Sequence, residues 1–223
     1  MTTQKYLLDL SHTIEHGLVT YQGLPAPMIC DYWSREQSRQ NYAAGTEFQI
    51  GKIELVGNTG TYLDSPFHRF ADGKDLSELP LESLAELAGV VIQAVGVCSI
   101  GIEAIHKISV KNQAVLFRTD WSLHWNTEEY WSGHHPFLTA EAAQYLADEG
   151  AALVGIDSYN IDDIADLTRS AHTILLGAEI PIVEHMCHLD QLPESGFHFS
   201  AVPVKVKNFG TFPVRAYASI DRK

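Results

Sequence analysis

The sequence predicts one α/β (mixed α+β) domain over residues 1–223, built on a mixed sheet. Three observations carry that expectation. Short apolar runs with the length of buried strands alternate with stretches of helical period through the middle of the chain. The last part, from Phe197 onward, reads instead as adjacent strands of a hairpin or meander. The 45% hydrophobic and 19% charged residues give a 223-residue chain enough apolar material for one sizeable core, which suits one large domain better than two small ones.

The elements follow in order. Tyr6 to Leu10 reads as a short strand, and the turn formers Gly17, Gly23, Pro25 and Pro27 mark a loop after it. Residues 31–45 show no clear period. Thr46 to Val56 reads as a long strand or strand pair. Leu76 to Leu87 has a helical period through Leu81, Leu84 and Leu87, with Gly89 placed to end the helix. Val90 to Val95 is then a buried strand, Ile102 to Ile108 a short helix and Ala114 to Arg118 a strand. Thr139 is an N-cap for a helix through Leu146, with Glu141 in its first turn and Gly150 beyond its end. Ala151 to Ile156 and Ile180 to Glu184 are further strands. Phe197 to Val206 and Phe212 to Ile220 close the chain. There is no internal repeat and no low-complexity linker.

Composition excludes several function classes. A formal net charge of −13 opposes nucleic-acid binding, which needs clustered Lys and Arg against phosphates. No apolar run approaches the ~20 residues that cross a bilayer. Met1 to Leu10 lacks the basic and apolar regions of a secretory leader. The three cysteines, Cys30, Cys98 and Cys187, are widely spaced and odd in number, as expected of reduced thiols in a cytoplasmic protein. Eleven histidines are an unusually large share, and histidine is both the commonest metal ligand and the usual acid–base residue near neutrality.

The segment Asn58-Thr59-Gly60-Thr61-Tyr62-Leu63-Asp64-Ser65-Pro66-Phe67-His68 is the richest in chemistry. Pro66 between Asp64 and His68 predicts a shaped loop at a strand end, and Gly60 permits unusual backbone angles before it. About a hundred residues later, His172 opens an apolar stretch and Glu184 ends the strand Ile180-Pro181-Ile182-Val183. A glutamate there is costly unless exposed, paired or bound to a cation. Asp64, His68, His172 and Glu184 together offer the imidazole and carboxylate set that zinc or manganese accepts. By themselves, Asp64 and His68 on a loop are more often a salt bridge or surface pair, and an exposed strand end at Glu184 stays equally open.

With these residues in view, the chain resembles the cyclase family of metal-dependent hydrolases, which includes bacterial arylformamidase (kynurenine formamidase) and isatin hydrolase. The family hallmark is H-x-G-T-H-x-D-x-P-x-H; this chain has Asn58-x-Gly60-Thr61-Tyr62-x-Asp64-x-Pro66-x-His68. The similarity continues through Asp9-Leu10-Ser11, Phe117-Arg118-Thr119, Gly155-Ile156-Asp157, His172, Ile180 to Glu184 and Pro213-Val214-Arg215-Ala216. The resemblance implies a swivelling β/β/α fold and a homodimer or homotetramer. In dinuclear members the two hallmark histidines bind the first metal, and here Asn58 and Tyr62 stand in their places. The bridging carboxylates correspond to Asp64 and Glu184, the ligand of the second metal to His172, and the acid–base histidine to His68.

An amide oxygen and a neutral phenol are weak ligands beside imidazole. The expectation is therefore one divalent ion, Zn or Mn, held by Asp64, His172 and Glu184, with His68 as general acid/base or fourth ligand and the second site lost. Such a site would hydrolyse a C–N bond of a small amide, an aryl formamide or a cyclic amide, by attack of metal-bound hydroxide. Tyr21 stands where the family has a substrate-contacting tryptophan. The alternative is a metal-free, non-catalytic cyclase-fold protein that binds a small aromatic ligand; an isomerase or lyase is a third class. His134-His135 and His185-x-x-His188 are expected to be structural, His12 and His16 to lie at the surface, and Trp121, Trp125, Tyr130 and Trp131 to be core or a subunit contact.

Overall fold

A computed structural model of the chain describes residues 5–221. The first four residues of the stretch read for a leader lie outside it. The strands, in chain order, are β1 (Lys5–Asp9), β2 (Met28–Trp33), β3 (Ile50–Glu54), β4 (Tyr62–Asp64), β5 (Leu87–Gln93), β6 (Ser99–Ile100), β7 (Ala114–Arg118), β8 (Phe137–Leu138), β9 (Leu153–Ile156), β10 (Ile182–Glu184), β11 (Ser195–Ser200), β12 (Thr211–Pro213) and β13 (Tyr217–Asp221). Three helices, α1 (Arg35–Arg39), α2 (Ala140–Asp148) and α3 (Ser170–Gly177), join them.

Nine strands form one sheet in the order β1-β13-β11-β5-β7-β9-β10-β4-β12. Its centre, β5 to β10, is parallel, as expected for the strand–helix alternation, and its two flanks are antiparallel. Apolar residues alternate to both faces. One face, with Val115, Val154 and Ile182, is covered by Leu146 of α2 and by Leu175 and Leu176 of α3. The other, with Leu63, Leu116 and Val183, packs on Leu84, Met186 and Leu189. A mixed sheet with few helices thus bears out the expected fold class.

Several elements fall where the sequence puts them. Ala114–Arg118 has the expected bounds, and Thr139 caps α2 by accepting from the Ala142 amide. Others differ. The helical period over Leu76 to Leu87 yields only a 3₁₀ turn at Leu81–Ser83, and Gly89 lies inside β5 rather than after a helix. The reason is tertiary: a Cβ on Gly89 would run into the Phe197 ring, so the glycine admits a neighbouring strand's aromatic. Ile102 to Ile108 contracts to a 3₁₀ turn at Ile102–Ala104. Residues 31–45, without period, hold β2's end and α1, which Ser34 and Gln37 close with a reciprocal capping box. The terminal meander is interrupted: β11 pairs with β13, but β12 crosses to the far edge beside β4.

Candidate active site

The register of three short strands assembles the site. β4 lies between β10 and β12, with Tyr62 opposite Glu184 and Asp64 opposite both Ile182 and Thr211. Residues two apart on a strand share a face, and so do directly opposed residues. Tyr62, Asp64, Glu184 and Thr211 therefore project together toward the face covered by α3, while Leu63 and Val183 enter the opposite core. Glu184 ends a parallel strand at its carboxyl end, the usual place for a site in such sheets. The loop expected at Asp64 to His68 is a strand end followed by a 3₁₀ turn, Pro66–His68, with Gly60 at φ +65 before it.

α3 brings in His172. Its first turn is capped not by the preceding residue but by Asp162, whose Oδ1 accepts from the Ala171 amide at 2.5 Å. The same carboxylate lies 2.6 Å from His172 Nδ1. That bond places the ring's proton on Nδ1 and turns Nε2 toward Asp64 Oδ2 at 3.6 Å and Glu184 Oε1 at 3.8 Å. Carboxylate–histidine pairs of this kind orient metal-binding imidazoles. We expect Asp162→Asn to weaken divalent-ion affinity about 10–100-fold by this loss of orientation; titration of the apoprotein with zinc would show it, and unchanged affinity would rule the role out.

His68 is held differently. Its side chain is 29% exposed, and its Nδ1 lies 2.8 Å from Thr211 Oγ1. Thr211 donates its hydroxyl proton to Asp64 Oδ1, so it accepts from His68 Nδ1–H. Nε2 is left as the basic nitrogen, without a partner among the described residues. Gly210 makes this possible, since a Cβ there would sit 2.6 Å from the His68 Cα.

Carboxylates crowd the cluster. Asp64, Glu184 and Asp162 are all buried, and Asp64 Oδ2 has no hydrogen-bond partner among the described residues. Burial opposes protonation of His172, yet Glu184, Asp162 and Asp64 outweigh it and push its pKa up to about 9. Burial also tends to raise Asp64, but His68, His172 and Thr211 hold it below the usual carboxylate range. Burial raises Glu184, aided by Asp64 and opposed by His172. An orphaned buried carboxylate oxygen facing an oriented imidazole nitrogen fits a cation. Asp64, His68 and His172 each turn a ligand atom within 4.8 Å of the others. Glu184 spends one lone pair of each oxygen on the Tyr62 hydroxyl (2.6 Å) and the Ile161 amide (2.6 Å), and keeps one of each for an ion.

Tyr62 is fully buried. Burial, Glu184 and Asp64 together drive its pKa well above the ordinary phenol value, so it remains a neutral donor to Glu184 rather than a phenolate ligand. Tyr21 stacks on Tyr159 with centroids 4.8 Å apart. Tyr21, Asn58, Tyr62 and His68 line one cavity of about 190 Å³ with Leu24, Asn160 and Arg169. Asp64, His68, His172, Glu184 and Tyr62 thus meet in one cluster, and Tyr21 and Asn58 share the cavity that Tyr62 and His68 line. Sequence reading missed Asp162, Thr211 and Arg169, which no hallmark spacing marks.

The histidines set aside behave variously. His135 and His185 are buried, with His185 Nδ1 on the Tyr130 hydroxyl and His135 Nε2 on the Asp162 carbonyl. His12 lies only partly at the surface: its ring stacks on Trp125 at 3.9 Å, and burial pulls its pKa down to about 4. Tyr130 is core, as one reading of the aromatic run had it.

Comparison with known proteins places the chain in a family. Residues 8–163 match the Cyclase family, described as "Putative cyclase". The kynurenine formamidase of Bacillus cytotoxicus is 29% identical over 210 residues, covering 94% of this chain and 95% of its own length. That of Bacillus anthracis is 28% identical over 217 residues, covering 97% and 98%. Among solved structures, isatin hydrolase A from Labrenzia aggregata superposes with a TM-score of 0.82 at 23% identity, over 98% of this chain and 94% of that one. A potential metal-dependent hydrolase with cyclase activity gives 0.80 at 24% identity, over 99% and 100%.

Proposed function

The chain belongs to the cyclase family, and from that premise we propose that it is a metal-dependent hydrolase of the C–N bond in a small amide, with aryl formamides the first substrates to test. The kynurenine formamidases, alike over nearly their whole length, support a hydrolase acting on carbon–nitrogen bonds other than peptide bonds. The observation that carries the reading is the unpartnered Asp64 Oδ2 facing His172 Nε2, beside a cavity that His68 also lines.

Asp64, His172 and Glu184 would hold one divalent ion, Zn or Mn, with Asp162 orienting His172. A divalent ion there supplies Lewis acidity and can lower the pKa of a water to ~7. His68, anchored through Nδ1, accepts a proton at Nε2 and returns it to the departing nitrogen. Tyr62 has its single hydroxyl proton committed to Glu184, so it braces the carboxylate rather than serving as a free donor to an oxyanion. Tyr21 and Asn58 flank the space left for substrate. His68 as a fourth ligand is the second reading, favoured by its convergence with Asp64 and His172. Removing metal with a chelator should abolish hydrolysis of an aryl formamide, and zinc or manganese should restore it. Turnover that survives complete removal contradicts the proposal.

Another feature supports a homo-oligomer. β2 and β3 form a separate two-stranded ribbon in which every residue but Trp33 is exposed, including Met28, Tyr32 and Ile53. Isolated two-stranded ribbons are marginal in water, so a second copy is the proposed cover. Light scattering should give at least a dimer, and Tyr32→Glu with Ile53→Glu should shift it toward monomer; a monomeric wild type at micromolar concentration would refute this. No helix among the described residues is long and apolar enough to cross a membrane.

A further inference from the structure

Arg169 is the one permanently charged cation lining the cavity at the site, and hydrolysis as proposed above assigns it no role. Its backbone is left-handed, φ 53 and ψ 56, immediately before α3. A non-glycine residue there is strained. That turn directs the side chain back over the site. Nε lies 3.4 Å from Asp162 Oδ2, and Nη2 lies 3.1 Å from both ring nitrogens of His172. An atom equidistant from both nitrogens in the ring plane would collide with Cε1, so Nη2 sits over the ring face. The in-plane direction of His172 Nε2 stays clear. Asp162 neutralises one edge of the guanidinium, and Nη1 has no hydrogen-bond partner among the described residues.

We propose that Arg169 recognises an anionic group on the substrate, so that the enzyme acts on small planar amides carrying a carboxylate. The surroundings fit that class. The stacked Tyr21 offers an aromatic wall, and Asn58 and Asn160 offer amide groups at the same cavity. The carboxylates near the reacting centre, Asp64, Glu184 and Asp162, would repel an anion that met no cation. A guanidinium with a free edge binds a carboxylate through charge-assisted hydrogen bonds of fixed geometry. Arg169 is thus a specificity-determining residue, and the assignment rests on the hydrolase reading for what happens to the bound amide.

The test separates binding from turnover. Zinc-loaded protein is titrated calorimetrically with 2-acetamidobenzoate and with acetanilide, a pair that differs only in the carboxylate. The wild type should bind the first at least about 30-fold more tightly, the scale of a charge-assisted pair. In Arg169→Met that ratio should collapse to within a few-fold, and Arg169→Lys should retain part of it. Equal binding of the two compounds by the wild type overturns the proposal even if no variant folds. So does a preference that persists in Arg169→Met, because the carboxylate would then be held by the metal or another group. The kinetic pair 2-formamidobenzoate and formanilide should show the same preference mainly in KM. Failure to hydrolyse either, with Arg169-dependent binding intact, would count against the hydrolase reading and leave anion recognition supported.

Discussion

Replacing His68 with alanine is expected to lower kcat toward an aryl formamide by about 10²- to 10⁴-fold, the usual contribution of a placed general acid–base. Bound metal should stay at the wild-type level. The expectation follows from the Thr211 hydrogen bond, which fixes the proton on Nδ1 and leaves Nε2 as the basic nitrogen at the cavity. Steady-state kinetics and elemental analysis on the same preparation check both halves. Full activity would remove His68 from the chemistry. Loss of the ion together with activity would make it a ligand, the arrangement in which Asp64, His68 and His172 share one cation.

Asp64→Ala should have a still broader effect: hydrolysis below detection and loss of measurable zinc or manganese binding. Asp64 is the side chain that meets the cluster on every side, lying 3.6 Å from His172 Nε2, 3.5 Å from His68 Nδ1 and in hydrogen-bonding contact with Thr211. Its unpartnered oxygen is the one a cation would satisfy. Thermal unfolding provides the check. Free ion at about a hundred times its Kd stabilises a native state that binds it by about 2.7 kcal/mol. The wild type should therefore melt at a higher temperature with metal, and Asp64→Ala should melt at the same temperature with or without it. A metal-dependent rise retained in the variant would place the ion elsewhere.

The sequence made the centre of this site legible because its residues sit in the family's ordered motifs. Asp64, His68, His172 and Glu184 could be named from spacing and resemblance, and Asn58 and Tyr62 stood out as replacements. What surrounds them was not legible. Asp162 acts through a helix cap and a ring nitrogen, and it lies in the acidic loop Asp162-Asp163 without any period to mark it. Thr211 matters because β12 crosses to β4, a pairing that strand propensity cannot foresee. The local misreadings, at Leu76 to Leu87 and Gly89, have related reasons. The helical period near Leu84 belongs to residues that pack individually on the second core, and Gly89 answers to Phe197, more than a hundred residues away. The partial burial of His12 was not legible because it involves Trp125, a contact between distant loops.

Tyr62 is the residue of the altered motif on which the proposed metal count turns. Its hydroxyl caps Glu184 where a first metal would otherwise be held, so the carboxylate stays satisfied without that ion. On the reading proposed above, the site takes a single cation. Metal per chain, measured by mass spectrometry on protein purified without chelator and then equilibrated with zinc, tests this most directly. The proposal calls for one tightly held equivalent. Two equivalents, or none even after equilibration, would contradict it.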